Sequence, residues 1–410
     1  MKTAWHERES LQGRQQAKRL YGRSLIRRGQ VDIARAVLAL SLLALPILAI
    51  GLNVTCTRHA KVGASDPYWN DIARYLAGME VSGKSVLRQK TTTAHYQYHR
   101  RFMDDLWSRI QKETLDLVIP WRKKNVPTLY FRATAFYPLS GADFINLYAL
   151  FPHARRYLMI AMEPEGDVSV LRDHQSWRLI NGLVPIQRSI YAYGVNNYFQ
   201  SKIMAEEMTN TLLPGTAPAL LIFMARLGLT VKAVDNVFID ESGRLAPAAD
   251  LNASHSRGKV TGLRIGFRGR DGSSRELVYL RMRISPASVD PDTPEGKYLN
   301  RLRGVKTLLK SAVYLLHLST FGPVRDFVLD HSALIVQDDS GIPYRFFTEG
   351  WKTSLYGIYR PAMNLGNCVP VFQNDLMKRY AEGADSLPFN FGYGILFGHG
   401  QSNLIVARKK

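Results

Sequence analysis

Ser140, Gly141 and Asp143 stand together in the phrase YPLSGAD, and Glu163 follows in MEPEG. These are the residues whose types and spacing best suit chemistry. A strand-like apolar segment ends just before Ser140, and a helical segment begins just after Asp143. The free N–H groups at such a helix start can hold an anion. An acid at the end of the next strand stands where a nucleotide-binding sheet takes the ribose hydroxyls. The fingerprint is incomplete, because one glycine stands where the dinucleotide turn needs three. The competing reading has Ser140 and Asp143 capping the helix and nothing more.

Other candidates are weaker. Ser140 could serve as a hydrolase nucleophile, but YPLSGAD lacks the G-x-S-x-G elbow, and His153, His174 and His331 cannot be ranked as its base. His95 and His99 share a helix face, yet no glutamate lies between them as in H-E-x-x-H and no third ligand is identifiable. Asp338-Asp339-Ser340-Gly341 has the composition of a hairpin turn and lacks the alternating oxygen ligands of a calcium loop. Neither a metal nor a cofactor is expected on these grounds.

The elements that must position these groups point to an α/β or α+β fold. A mixed sheet is expected, built on a central β-α-β unit over about residues 129–163, with added helices and β-hairpins. Asp66 and Pro67 mark a helix start, closed at Gly78. A long amphipathic helix is predicted over 94–118, ended or kinked by Pro120. Residues 216–228 read as another helix and VKAVDNVFID as a strand. Residues 259–284 read as a hairpin turning at 270–273, with Arg264, Arg268, Arg281 and Arg283 facing outward. VKTLLKSAVYLLH has helical spacing, and ALIVQDDSGIPYRFF reads as a second hairpin. The turn-rich stretch near 285–297 is the best internal boundary within a globular region spanning 66–410.

Composition bounds the setting. The net charge is +20, with 54 Lys and Arg against 34 Asp and Glu, so the surface attracts anions without specificity. Residues 1–35 form a basic leader, with nine Lys and Arg against three acids. The uncharged run AVLALSLLALPILAIGL follows, and residues 36–53 are expected to form a single transmembrane signal anchor. The positive leader places the chain beyond it outside the cytoplasm, on the periplasmic face of a bacterial inner membrane. Only Cys56 and Cys368 are present, which excludes a disulfide framework.

Several phrases resemble an uncharacterised family of bacterial exported, lipoprotein-like proteins. They are DIARYLAG (71–78), FYPLSGADF (136–144), LFPHARRYLMIAMEPEG (150–166), LKSAVYLLH (309–317) and IVQDDSGIPYRFF (335–347). The resemblance implies an exported location and carries over no catalytic residue. The expected function is a membrane-anchored envelope protein that binds a ligand or a partner. An anionic envelope component suits its charge, and no specific nucleic acid is expected. The alternatives are an enzyme with a degenerate nucleotide-binding or methyltransferase-like core, and a hydrolase using Ser140.

Overall fold

The computed structural model describes residues 66–126, 134–175, 177–196, 211–250, 258–360, 372–393 and 402–410. The leader and the anchor segment lie outside the described residues. Among the described residues, no helix is long and apolar enough to cross a membrane. Residues 58–410 form one compact unit, and the stretch near 285–297 lies inside it, carrying the short helices Pro286–Val289 and Pro294–Leu299.

The centre is a ten-stranded mixed sheet, as the α/β expectation requires. Its strands are β1 (Thr134–Tyr137), β2 (Arg156–Ala161), β3 (Thr230–Ile239), β4 (Leu245–Pro247) and β5 (Thr261–Arg268), then β6 (Ser274–Arg281), β7 (Val305–Leu309), β8 (Ser332–Gln337), β9 (Trp351–Gly357) and β10 (Asn403–Lys409). Across the sheet the order is β4-β3-β5-β6-β2-β1-β7-β8-β10-β9. Strands β6, β2, β1, β7 and β8 run parallel as a central block. β5 and β10 are antiparallel to their neighbours on either side.

Parallel strands are buried on both faces, and their sequences show it. Successive side chains of β2 alternate between two cores: Tyr157 and Met159 enter one, Leu158 and Ile160 the other. The first core lies under helices α1 (Pro67–Leu76), α2 (Ala94–Ile110), α3 (Asp116–Asn125), α4 (Phe144–Leu150), α5 (Leu183–Asn196) and α6 (Ala217–Arg226). The second packs beneath α7 (Gly322–His331) through Val324, Phe327 and Val328.

Local signals explain several boundaries. The Asp66 carboxylate accepts from the Tyr68 N–H at 3.0 Å, and Pro67 sits in the first turn of α1. The β5–β6 hairpin is paired from Thr261–Arg281 to Arg268–Ser274. It differs from expectation at Arg264, which is buried and 3.6 Å from Asp235. Asp235 stands directly across from Arg264 on β3 and takes up its charge.

Three further expectations are corrected. The long helix does not end at residue 118: it passes through a π-turn at Gln111–Leu115 and continues as α3 to Asn125, with Pro120 inside it. VKTLLKSAVYLLH does not form a helix, because its first half is the fully buried strand β7. The sheet pairing of Val305–Leu309 on both sides outweighs a helical spacing of apolar residues. ALIVQDDSGIPYRFF is not a hairpin: its first half is β8, which pairs with β7 and β10 and not with the chain that follows it.

Candidate functional site

The chain runs outward from β1 through β2 to β6, then crosses back to β7 on the other side of β1, so the strand order reverses between β1 and β7. Open doubly wound sheets bind ligands at the carboxyl ends of strands beside such a reversal. The loops that follow β1, β7 and β8 meet at this edge and carry two buried polar networks.

The first network centres on Asp143. Its Oδ1 accepts from the Asn146 backbone N–H at 3.1 Å, which is the helix cap expected for α4. The Tyr193 hydroxyl, from α5, donates to the same oxygen at 2.7 Å. The Lys310 ammonium, just beyond β7, lies 3.1 Å from Oδ2. The Tyr137 hydroxyl donates toward the Lys310 carbonyl at 3.3 Å and lies 3.5 Å from Oδ2. Side-chain exposure is 0% for Lys310 and 2% for Asp143, so the pair is fully out of water. Burial, with Asp143 adding to it, holds both tyrosine hydroxyls in the protonated form.

The second network ties the loop after β7 to the turn after β8. Asp338 accepts from the Ser311 N–H at 3.2 Å and from the Ser340 hydroxyl at 2.5 Å. Asp339 accepts from the Tyr314 hydroxyl at 2.7 Å and from the Asn403 amide at 2.8 Å. Ala312 N–H donates to the Ser340 hydroxyl at 2.7 Å, and the Tyr393 hydroxyl donates to the Ser311 carbonyl at 3.0 Å. Burial first, then the charge of Asp339 beside it, raises the Asp338 carboxyl above the ordinary range. Burial raises Asp339 too, against the bonds from Asn403 and Tyr314.

This loop is strained. Ser311, Val313 and Tyr314 have φ of +55°, +48° and +57° without being glycine. The left-handed region costs an L-residue ~1–2 kcal/mol, and a β-branched valine there is a clear outlier. Strain of this kind persists only where the surroundings over-determine it, and it clusters at functional sites.

The sequence-predicted residues fall on this edge in part. Ser140 is buried, and its hydroxyl donates to the carbonyls of Gly141 at 2.8 Å and Ile160 at 3.1 Å. Gly141 has φ of +53° and turns the chain into α4. Asp143 puts its own carboxylate at the start of α4, where an incoming anion would have sat. Glu163 is buried beyond β2, with the Tyr279 hydroxyl donating to its carbonyl at 2.9 Å. Residues 214–217 lie over it: Thr216 N–H bonds the Pro164 carbonyl at 2.9 Å, and Ala217 N–H bonds the Glu165 carbonyl at 3.1 Å. The approach is so close that a Cβ on Gly166 would stand 2.3 Å from the Pro214 oxygen. All four residues are packed under other chain segments, and the two cavities lined by Ile186 and Pro218 and by Trp121 and Tyr356 touch none of them.

The histidines are elsewhere. His153 follows α4 and precedes β2, and His331 ends α7 before β8, so both stand at the amino ends of strands, away from Ser140. His174 packs edge-on against Tyr68. Of the pair four apart, His95 is exposed, while His99 is buried and bonded to the Leu76 carbonyl at 2.8 Å and to Gln187 at 2.9 Å. No group of three or more metal-ligating side chains occurs among the described residues.

Sequence reasoning missed Lys310, Tyr137, Tyr193 and the burial of Asp338 and Asp339. Reading VKTLLK as a strand was the available signal, since it would have put Lys310 at the carboxyl end beside Asp143. Comparison with protein-family models, with curated proteins and with solved structures finds no match.

Proposed function

We propose that this protein is a membrane-anchored, extracytoplasmic binding protein of the bacterial envelope, built on a doubly wound scaffold whose own crevice is closed. One observation favours this reading over a nucleotide-using enzyme. The edge where such a sheet takes a cofactor is filled by the Lys310–Asp143 pair, Tyr137, Tyr193 and the 214–217 cover. A fully buried charge pair with its hydrogen bonds in place stands at the carboxyl ends of the strands, where such a ligand would approach. The envelope half rests on the basic leader, the 36–53 apolar segment and the positive-inside rule. The net charge of +20 suits an anionic envelope surface beside the globular part.

A second reading has its own support. Renumbered from β1, the block β6-β2-β1-β7-β8-β10-β9 has the order 3-2-1-4-5-7-6 with strand seven antiparallel. That order is the methyltransferase type of doubly wound sheet. It favours an enzyme using Glu163 and the strained loop after β7, by analogy of fold alone.

Location is tested with alkaline phosphatase fused after Lys410. Phosphatase activity in intact cells is the expected result, and a fusion active only as a cytoplasmic reporter contradicts export. Titration with S-adenosylmethionine separates the two readings: the binding-protein reading expects none taken up, the enzyme reading expects saturation.

A further inference from the structure

The π-turn at Gln111–Leu115 and Pro120 bracket the first turn of α3. Both are departures from α-helical hydrogen bonding, and π-turns recur at functional sites. Pro120 has no N–H, so the Asp116 carbonyl four residues earlier loses its helical donor. Beside this stretch lies a cavity of about 420 Å³. That volume falls in the ~300–1,000 Å³ range of small-ligand sites.

The cavity is lined along one stripe of α3 by Asp116, Pro120 and Lys124 at helical spacing, with Trp121 beside them. Tyr356 from the end of β9 and the strap at Asp385 and Ser386 close the opposite side. The floor is aromatic and buried: the Trp121 and Tyr356 rings meet edge-on at 4.9 Å. The rim is polar and exposed, with Asp116, Lys124, Asp385 and Ser386 all open to solvent. Trp121 is 6% exposed, and its indole N–H has no acceptor among the described residues. A buried donor left without a partner costs about 1–3 kcal/mol.

Resting on the binding reading above, we infer that this cavity is a saccharide site. Carboxylates on facing walls accept from hydroxyl groups, while the ammonium and the serine hydroxyl donate to them. The proline and aromatic surfaces pack against the C–H face of a sugar ring. Two carboxylates facing one ammonium leave little net charge in a chain of +20, which favours a neutral polyhydroxylated ligand over an anion.

The full chain, purified in a detergent without a sugar head group, is titrated calorimetrically with maltose and with the disaccharide of N-acetylglucosamine. Saturable binding of at least one is expected. Asp385→Asn, a change on an exposed residue, weakens it by roughly tenfold, and Trp121→Phe, which shrinks the aromatic floor, weakens it to a smaller degree. Absence of binding by both disaccharides, binding indifferent to both substitutions, or preference for spermidine over the sugars overturns the proposal. These outcomes leave the phosphatase fusion and the S-adenosylmethionine titration unaffected, so failure here and failure of the binding reading are distinguishable.

Discussion

Lys310 and Asp143 show how much one buried pair decides. Removing one partner of such a pair leaves an uncompensated charge and costs about 3–5 kcal/mol. Lys310→Met is therefore expected to lower unfolding stability by that amount, read as a shifted urea midpoint at unchanged slope. A loss below about 1 kcal/mol would mean that water reaches the pair. His99 is a second residue with a clear prediction. Its Nε2 faces a carbonyl, which can only accept, so Nε2 carries the proton and Nδ1 accepts from Gln187. Burial pushes its pKa down from 6.5 to about 4. The folded value lies below the unfolded one, so this contribution to stability is present above about pH 6.5 and is lost as pH falls toward 4. His99→Gln should flatten the stability profile across that window, and an unchanged slope contradicts the assignment. His317, pushed to about 4 by the same burial, keeps its own share of the slope. The Asp143 cap was legible from the phrase SGAD, because capping is local chemistry. Its long-range partners Lys310 and Tyr193 were not, because they lie 167 and 50 positions away.

At the scale of elements, the loop after β7 carries the three non-glycine residues with left-handed backbone among the described residues. Val313→Gly removes a left-handed β-branched residue, recovering ~1–2 kcal/mol of strain against ~0.5–1 kcal/mol of added chain entropy. A small rise in melting temperature is expected, and a fall would show that the Val313 side chain is itself stabilising. Gly392 behaves oppositely. It has φ of +58°, and a Cβ there would stand 1.7 Å from the Asp338 carboxylate, so Gly392→Ala should destabilise strongly. Elements with their own start and stop signals were readable from the chain: α1 through Asp66-Pro67 and the β5–β6 hairpin through its Asp-Gly turn. β7 was misread because a parallel strand buried on both faces loses the alternation that marks a strand, whereas β8 was read as a strand and only its partners were not. The Asp338–Gly341 turn has the composition of a surface turn but sits in the core, and only the partners Ser311, Tyr314 and Asn403 make that tolerable.

At the scale of the whole molecule, fold class followed from the strand-helix-strand order around residues 134–161, and the ten-stranded sheet extends that unit on both sides. Two antiparallel strands, β5 and β10, carry the sheet outward from its parallel centre, and no periodicity in the chain announces which strand sits beside which. The site resists sequence reading for the same reason, since its groups come from three loops that topology alone brings together. The central claim is that the scaffold's cofactor crevice is closed by its own side chains. Calorimetric titration of the purified full chain with S-adenosylmethionine tests it most directly. The closed crevice predicts no saturable heat, with any affinity weaker than about 1 mM. Saturable binding that disappears in Glu163→Gln, at unchanged melting temperature, would contradict it.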